Sequence, residues 1–212
     1  MRLPRIILAD DHTLFVEALR KLAAPHVEVV ATVGDGRALL ETAQALKPDV
    51  VVIDVGMPLL NGLDAGRELK KRLPNVKLIF LTMNEDPDLA VEAMKSGASG
   101  YLLKTSAGSE LFSAIQEALR GKSYVTRQIA RAMQESFIRD PRGAKCQKLL
   151  TPRQREVLQL LAEGKPMKIV ADILRIAPRT VAFHKYRVMQ DLGLKSNAEL
   201  IQFAIKNRII IQ

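Results

Sequence analysis

The stretch that decides the fold is Val50-Val51-Val52-Ile53-Asp54, in which four β-branched residues are followed at once by a carboxylate. A short apolar run bounded by polar and turn residues is typical of a strand that is buried on both faces. Strands of that kind occupy the middle of parallel sheets that have helices on both sides. The stretch therefore predicts a central parallel strand with an acidic side chain at its carboxyl end.

The segments on either side of this strand repeat an alternation of strand and helix. Strand candidates lie near residues 5–9, 28–33, 50–53, 77–81 and 100–103. Apolar residues spaced three and four apart predict helices near residues 13–24, 37–46, 63–73, 87–96 and 111–119. Five βα units predict an α/β doubly wound, flavodoxin-like fold with the strand order 2-1-3-4-5.

Polar side chains stand at the ends of four of these strands. Asp10 and Asp11 follow the first strand, Asp54 the third, Thr82 the fourth and Lys104 the fifth. Because open α/β sheets place their sites at the carboxyl ends of the strands, these side chains are expected to meet in one crevice. Carboxylates are ligands that Mg²⁺ prefers. The crevice predicts a carboxylate, Asp54, that accepts a phosphoryl group with help from Mg²⁺, Lys104 and Thr82.

Composition and charge narrow the class of protein. The chain has 212 residues, which is comfortable for two domains, and carries a net charge of +9. Residues 1–120 have 14 basic and 16 acidic side chains, whereas residues 121–212 have 18 and 7. This asymmetry predicts a polyanionic partner for the C-terminal part, most simply nucleic acid. No apolar run has the roughly 18 residues that would cross a membrane. The single cysteine, Cys146, fits a reducing cytoplasm, which is the expected location.

The C-terminal part predicts helices without strands. Thr151 is a suitable N-cap for a helix that has Pro152 in its first position. The helices are expected at residues 152–163, 167–174, 178–192 and 198–207. Residues 121–148 have a weaker core signal, with one helix expected within residues 125–138 and a connection that contains proline and glycine. They are therefore expected to link a domain of residues 1–120 to a domain of residues 149–212.

The N-terminal features together resemble the receiver domain of two-component response regulators. The resemblance is carried by the Asp10-Asp11 pair, by Asp54 with Gly-Met-Pro-Leu-Leu-Asn-Gly at 56–62, by Thr82, and by Tyr101 three residues before Lys104. It implies that residues 1–120 are a phosphoacceptor receiver domain. It also implies that a sensor histidine kinase phosphorylates Asp54, and that the receiver acts as a switch and catalyses only its own phosphorylation and possible dephosphorylation.

The same resemblance implies roles for the other residues of the crevice. The expected Mg²⁺ ligands are Asp11, Asp54 and the Gly56 carbonyl, with Asp10 acting through water. Thr82 and Tyr101 would form a switch pair, in which the hydroxyl moves toward the phosphoryl group and the ring turns inward. Lys104 would contact the phosphoryl oxygens.

Residues 149–209 resemble the LuxR-type helix-turn-helix of the NarL/FixJ response regulators. The resemblance is carried by residues 150–158, 162–165, 171–174 and 179–181 and by His184. It implies sequence-specific binding of promoter DNA and regulation of transcription. The implied DNA-binding residues are Lys168, Arg179, Thr180, Ala182, Phe183, His184, Lys185, Tyr186 and Arg187.

The expected recognition helix, residues 178–192, combines a buried stripe with a polar face. Its basic residues offer phosphate contacts, which position the helix without specifying sequence. On the family pattern, Ala182, Phe183 and Tyr186 face base edges, where contact with thymine methyl groups is the available readout. In the last helix, apolar residues exceed what one core face needs. They either complete the core of one module or pair two modules into a homodimer on DNA.

Several positions of this module depart from the LuxR pattern. They are Gln154, Met167, Ile169, Arg175 and Ala177. These departures keep open an alternative function, an adaptor that acts on a protein partner through a degenerate helix-turn-helix. A second alternative is a phosphatase or phosphotransferase whose basic half binds an acidic protein. It would need an additional acid–base residue near Asp54, and no histidine is expected there, since His12 follows the acidic pair and His26 lies near the next strand.

Overall fold

The computed structural model describes residues 2–24, 26–139 and 150–210. The chain forms two compact units, the first lying mostly before residue 140 and the second mostly after residue 149. The connection expected at residues 139–145 lies largely outside the described residues, as does Cys146. No helix of the described ranges is long and apolar enough to span a bilayer.

The first unit contains one parallel sheet of six strands. The strands are β1 (Arg5–Ala9), β2 (Glu28–Val33), β3 (Val50–Asp54), β4 (Lys77–Thr82), β5 (Gly100–Leu103) and β6 (Tyr124–Val125). Their order is β2-β1-β3-β4-β5-β6. The predicted order 2-1-3-4-5 is confirmed, and a sixth strand is added at the β5 edge. All five residues of β3 are buried, as expected for the central strand.

Six helices accompany the sheet. They are α1 (Thr13–Ala23), α2 (Gly36–Leu46), α3 (Gly62–Arg72), α4 (Pro87–Lys95), α5 (Ala107–Leu119) and α6 (Arg127–Arg139). On one face, Leu8, Val52 and Leu81 pack with Leu19 of α1 and Ile115 of α5 in a single apolar cluster. The alternation of side chains along each strand sends the intervening residues to the opposite face. The strand ends are therefore held between two packed layers.

Residues 121–139 correct the expectation of a linker. Strand β6 pairs in parallel with β5, and helix α6 packs against α4. Ile129 of α6 is completely buried, and Thr126 is 4% exposed. The sequence offers little indication that this segment shares the core. Strand β6 has only two residues, and in α6 the apolar Phe137 and Ile138 are exposed, so its apolar residues do not mark a single buried face. This part of the expected linker belongs to the first unit.

Replacing Ile129 with alanine should lower the free energy of unfolding of the first unit by about 2–4 kcal/mol, because it removes a fully buried side chain and leaves a cavity. A urea titration, with hydrogen exchange of the β1 and β3 amides as the readout, measures this loss of free energy. Ile138→Ala is the matched control, since Ile138 is 78% exposed on the same helix and its truncation should change stability by less than about 0.5 kcal/mol. Equal effects of the two changes would show that α6 does not share the core.

The second unit consists of four helices. They are α7 (Pro152–Ala162), α8 (Met167–Leu174), α9 (Pro178–Leu192) and α10 (Asn197–Lys206). The four predicted helices are confirmed to within one residue at each end. Val157, Val170 and Val181 belong to one apolar cluster, and Val188 and Leu200 belong to a second. These contacts fix α9 against its supporting helices by its buried stripe.

The ends of these helices show which departures from the LuxR pattern are tolerated. Thr151 accepts from the Gln154 amide at 3.2 Å, and Gln154 accepts from the Thr151 amide at 2.8 Å, which completes a capping box. Ala177 caps α9 without a side-chain hydrogen bond. Arg175 ends α8 in the left-handed region, at φ 53°, where glycine is favoured. Gln154 thus completes the capping box of α7. Ala177 gives α9 no side-chain hydrogen bond, and Arg175 occupies a conformation that glycine adopts more readily.

Candidate functional site

The strand order brings the predicted crevice residues together. Asp54 and Thr82 are the last residues of β3 and β4, and Asp10 and Lys104 directly follow β1 and β5. The Lys104 amide donates to the Thr82 carbonyl at 2.7 Å, so the ends of β4 and β5 stay in register. The chain order changes direction between β1 and β3, which opens the crevice at this edge of the sheet.

Lys104 lies between two of the carboxylates. Its Nζ is 2.7 Å from Asp10 Oδ2 and 2.9 Å from Asp54 Oδ2, and all three side chains are buried. Burial raises the pKa of Asp54, an effect that Lys104 opposes and Asp10 reinforces. Burial would lower the pKa of Lys104, but its contacts with Asp10 and Asp54 outweigh burial and raise it. The ammonium is therefore held in its charged form beside the expected phosphoacceptor.

The backbone around Asp54 explains the glycine that ends the segment 56–62. The Gly62 amide donates to the Val55 carbonyl at 3.0 Å, which closes the loop after β3. A Cβ atom at Gly62 would overlap the Asp54 carbonyl, so only glycine fits this close approach. The loop that carries Gly56 is thereby folded back beside Asp54.

The acidic cluster fits a divalent metal ion and includes a histidine that the sequence did not assign to it. Donor atoms of Asp10, Asp11, His12 and Asp54 all lie within 4.8 Å of one another. His12 Nδ1 is 2.9 Å from Asp11 Oδ1 and 3.0 Å from Asp10 Oδ1. Three convergent carboxylates are a donor set that suits Mg²⁺. The position of His12 directly after the acidic pair was the available signal for its place in the cluster.

The expected switch pair lies behind the crevice. The Tyr101 ring is completely buried, and Thr82 is buried at the end of β4. Thr82 Oγ1 accepts from the Asn84 amide at 3.0 Å. Burial raises the pKa of Tyr101 to about 12. The ring is therefore turned inward, with its hydroxyl neutral at physiological pH.

Helix α9 of the second unit displays basic and aromatic side chains around its buried stripe. Phe183 and Tyr186 are exposed, and the Lys185 ammonium lies 5.5 Å from the centre of the Tyr186 ring. Arg187 pairs with Asp191 at 3.2 Å on the same helix. The other proposed DNA-binding residues are exposed or half-buried, and they are Lys168, Arg179, Thr180, Ala182 and His184.

Helix α10 offers a smaller apolar surface than its sequence suggested. Leu200 and Ala204 are buried in the core of the second unit and are not available for pairing. Ile201 and Ile205, one turn apart, remain exposed at 36% and 37%. Ile211, the end of the apolar tail, lies outside the described residues. Any pairing surface on α10 is therefore narrower than expected.

Comparisons with known proteins agree with this architecture. The family model of the response regulator receiver domain matches residues 6–116, and that of the bacterial regulatory proteins of the luxR family matches residues 148–204. The transcriptional regulatory protein DegU of Brevibacillus brevis is 30% identical over 96% of this chain and 93% of its own length. The oxygen regulatory protein NreC of Staphylococcus epidermidis is 31% identical over 97% of this chain and 99% of its own length.

Solved structures of a response regulator extend the similarity across both units. The RcsB response regulator of Salmonella typhimurium has a TM-score of 0.66 at 25% identity and covers 100% of both chains. A structure of RcsB from Salmonella enterica serovar Typhimurium, bound to a promoter in the presence of phosphomimetic BeF3-, has a TM-score of 0.63 at 26% identity and covers 96% of this chain and 98% of its own. The chain belongs to the response regulators that join a receiver domain to a LuxR-type DNA-binding domain.

Proposed function

We propose that Asp54 accepts a phosphoryl group from a sensor histidine kinase and that this modification controls promoter binding by the second unit. The observation that carries the proposal is the buried Lys104 ammonium within 3 Å of both Asp10 and Asp54 at the carboxyl end of the sheet. A charged lysine beside a carboxylate nucleophile is the arrangement that phosphoryl transfer needs, since its main requirements are positioning and neutralisation of charge.

The residues of the crevice would share the work of the transfer. An Asp54 carboxylate oxygen forms the new bond to phosphorus while the bond from phosphorus to the kinase histidine nitrogen breaks. The Lys104 ammonium, already 2.9 Å from Asp54, then contacts the phosphoryl oxygens, and the Thr82 hydroxyl supplies a further donor. Mg²⁺ would be held by Asp11, Asp54 and the Gly56 carbonyl, with Asp10 acting through water, and would neutralise charge on the phosphoryl oxygens.

The phosphorylated state would be read by the switch pair. Movement of Thr82 toward the phosphoryl group changes the space behind β4, into which the Tyr101 ring packs. Because the phosphoryl group can only favour conformations that bind it better, the response is a shift between two populations. Tyr101 in the inward position belongs to the population that phosphorylation would favour.

The second unit would bind promoter DNA through α9. Arg179, Lys185 and Arg187 would contact phosphates. Phe183 and Tyr186 would contact thymine methyl groups in the major groove. Two copies would pair through Ile201 and Ile205 of α10. That the protein binds DNA as a dimer is supported by the structure of two RcsB dimers bound to two parallel DNAs. A cytoplasmic location follows from these partners, the kinase and the promoter.

The proposal is tested by measuring the affinity of the full chain for promoter-length DNA with and without acetyl phosphate and Mg²⁺. Phosphorylation is expected to raise the affinity about tenfold, which corresponds to a coupling free energy of ordinary size. The affinity should also fall steeply with added salt, because binding releases counterions from DNA. An affinity that responds neither to the phosphodonor nor to salt would contradict the proposal.

A second candidate function is favoured by one observation on α8. Met167 and Ile169 are exposed, so an apolar surface stands where a helix-turn-helix usually carries polar residues. Such a surface suits an adaptor that binds a protein partner and controls it without touching DNA. An affinity for DNA that does not change with salt concentration would favour this adaptor.

A further inference from the structure

Thr126 connects the end of strand β5 to the start of helix α6. The Thr126 amide donates to the Tyr101 carbonyl at 3.1 Å, and its Oγ1 accepts from the Leu103 amide at 3.3 Å. The Thr126 carbonyl accepts the first hydrogen bond of α6, from the Ala130 amide at 2.9 Å. One buried residue therefore holds both the switch strand and the first turn of this helix.

The Thr126 hydroxyl also joins these elements to α5. Its Oγ1 donates to Glu110 Oε2 at 2.8 Å and lies 3.3 Å from Ser106 Oγ. Ser106 belongs to the turn that follows Lys104, and its own amide donates to the Leu103 carbonyl at 3.1 Å. The hydroxyl thus accepts a hydrogen bond from β5 and donates one to α5. An apolar side chain at this position could do neither.

The bonded atoms of β5 are adjacent to the residues of the proposed switch. Leu103 immediately precedes Lys104, and Tyr101 carries the ring of the switch pair. Buried hydrogen bonds are costly to leave unmade, so a shift of the β5 end must either carry Thr126 with it or break them. Because the Thr126 carbonyl accepts the first hydrogen bond of α6, a Thr126 that moves with β5 also moves the first turn of that helix.

We propose that Thr126 is a positioning residue that couples strand β5 to helix α6. Through it, the change at Tyr101 and Lys104 reaches α6, the helix that precedes the second unit in sequence. This inference rests on the proposed phosphorylation of Asp54 and adds the route by which its effect leaves the sheet. Helix α6 also packs on α4, and its Ile129 is completely buried.

Hydrogen exchange of the full chain, with and without beryllofluoride and Mg²⁺, tests the coupling. In the wild type, the phosphate mimic should change exchange both at residues 101–106 and at residues 127–139. In Thr126→Val, the change at residues 101–106 should persist, while the change at residues 127–139 should fall by about threefold or more. Thr126→Ser, which keeps the hydroxyl, should restore the wild-type response.

The matched control is Thr32→Val, the same substitution at an exposed position of β2, which should leave both responses unchanged. A purely structural role for Thr126 predicts faster exchange with and without beryllofluoride and an unchanged ratio between the two conditions, and that outcome would overturn the inference. If Thr126→Val does not fold, Thr126→Ala removes the same hydroxyl with a smaller side chain. A reduced ratio in that variant supports the coupling, and an unchanged ratio overturns it.

Labelling of Asp54 from acetyl phosphate in the same variants, without beryllofluoride, separates the two proposals. Loss of labelling in the wild type would overturn the proposed function, and the inference would fall with it. Normal labelling of Thr126→Val with an undiminished α6 response would overturn the inference alone. Normal labelling with a reduced α6 response is the expected result.

Discussion

Asp54→Ala should abolish phosphoryl incorporation from acetyl phosphate in Mg²⁺, with the rate falling by at least about a thousandfold. The physical reason is that alanine offers no nucleophile at the end of β3. Asp10 is not placed to substitute, since its Oδ1 accepts from the His12 amide at 2.9 Å and lies 3.0 Å from His12 Nδ1. Quantitative mass spectrometry of the intact chain, taken over time, measures the rate.

The control for this change is Asp88→Ala, which removes an exposed carboxylate from the first turn of α4 and should label at the wild-type rate. Circular dichroism of both variants checks that the fold is retained. Undiminished labelling of Asp54→Ala would show that another carboxylate of the crevice is the phosphoacceptor. Loss of labelling in both variants would show that the assay reports something other than the nucleophile.

Replacing Arg179, Lys185 and Arg187 together with alanine should weaken binding to promoter DNA by about 100-fold at physiological salt. Each of these side chains is expected to neutralise one phosphate. The slope of log affinity against log salt concentration should therefore become shallower by about 2.7, which is roughly 0.9 for each phosphate that alanine leaves without a cation. Fluorescence anisotropy with a labelled promoter duplex at several salt concentrations gives both quantities.

A matched variant removes the same amount of charge from the first unit, where Arg20, Lys21 and Lys95 are exposed on helices α1 and α4. Their replacement with alanine should leave the salt slope unchanged. Equal effects of the two triple variants would mean that net charge alone drives binding. No effect of either would remove α9 from the interface and favour the adaptor.

The local sequence was enough to predict strands β1 to β5, the helices and the ends at which the crevice forms. The run Val50–Ile53 has no polar side chain, so burial on both faces is its stable arrangement. Gly164 and Gly193 adopt positive φ angles, and each follows the last turn of a predicted helix. Because the carboxyl ends of parallel strands lie at one edge, the grouping of Asp10, Asp54 and Lys104 followed from chain order alone.

Long-range packing decided the features that local patterns understated. Strand β6 has two residues, too few for periodicity, and exists because its backbone completes the hydrogen bonding of β5. Likewise, the apolar residues of α10 exceed what one core face needs, and only contacts with α7 and α9 distinguish the buried Leu200 from the exposed Ile201.

The sequence by itself determined the alternation of strands and helices, the phosphoacceptor candidate Asp54 and the basic second unit, because each depends on residue type, spacing or net charge. Tertiary structure alone placed the Lys104 ammonium between Asp10 and Asp54 and joined Thr126 to Tyr101. The reason is physical: these contacts depend on distances between side chains and backbone atoms from separate strands, and such distances are fixed only when the sheet is assembled.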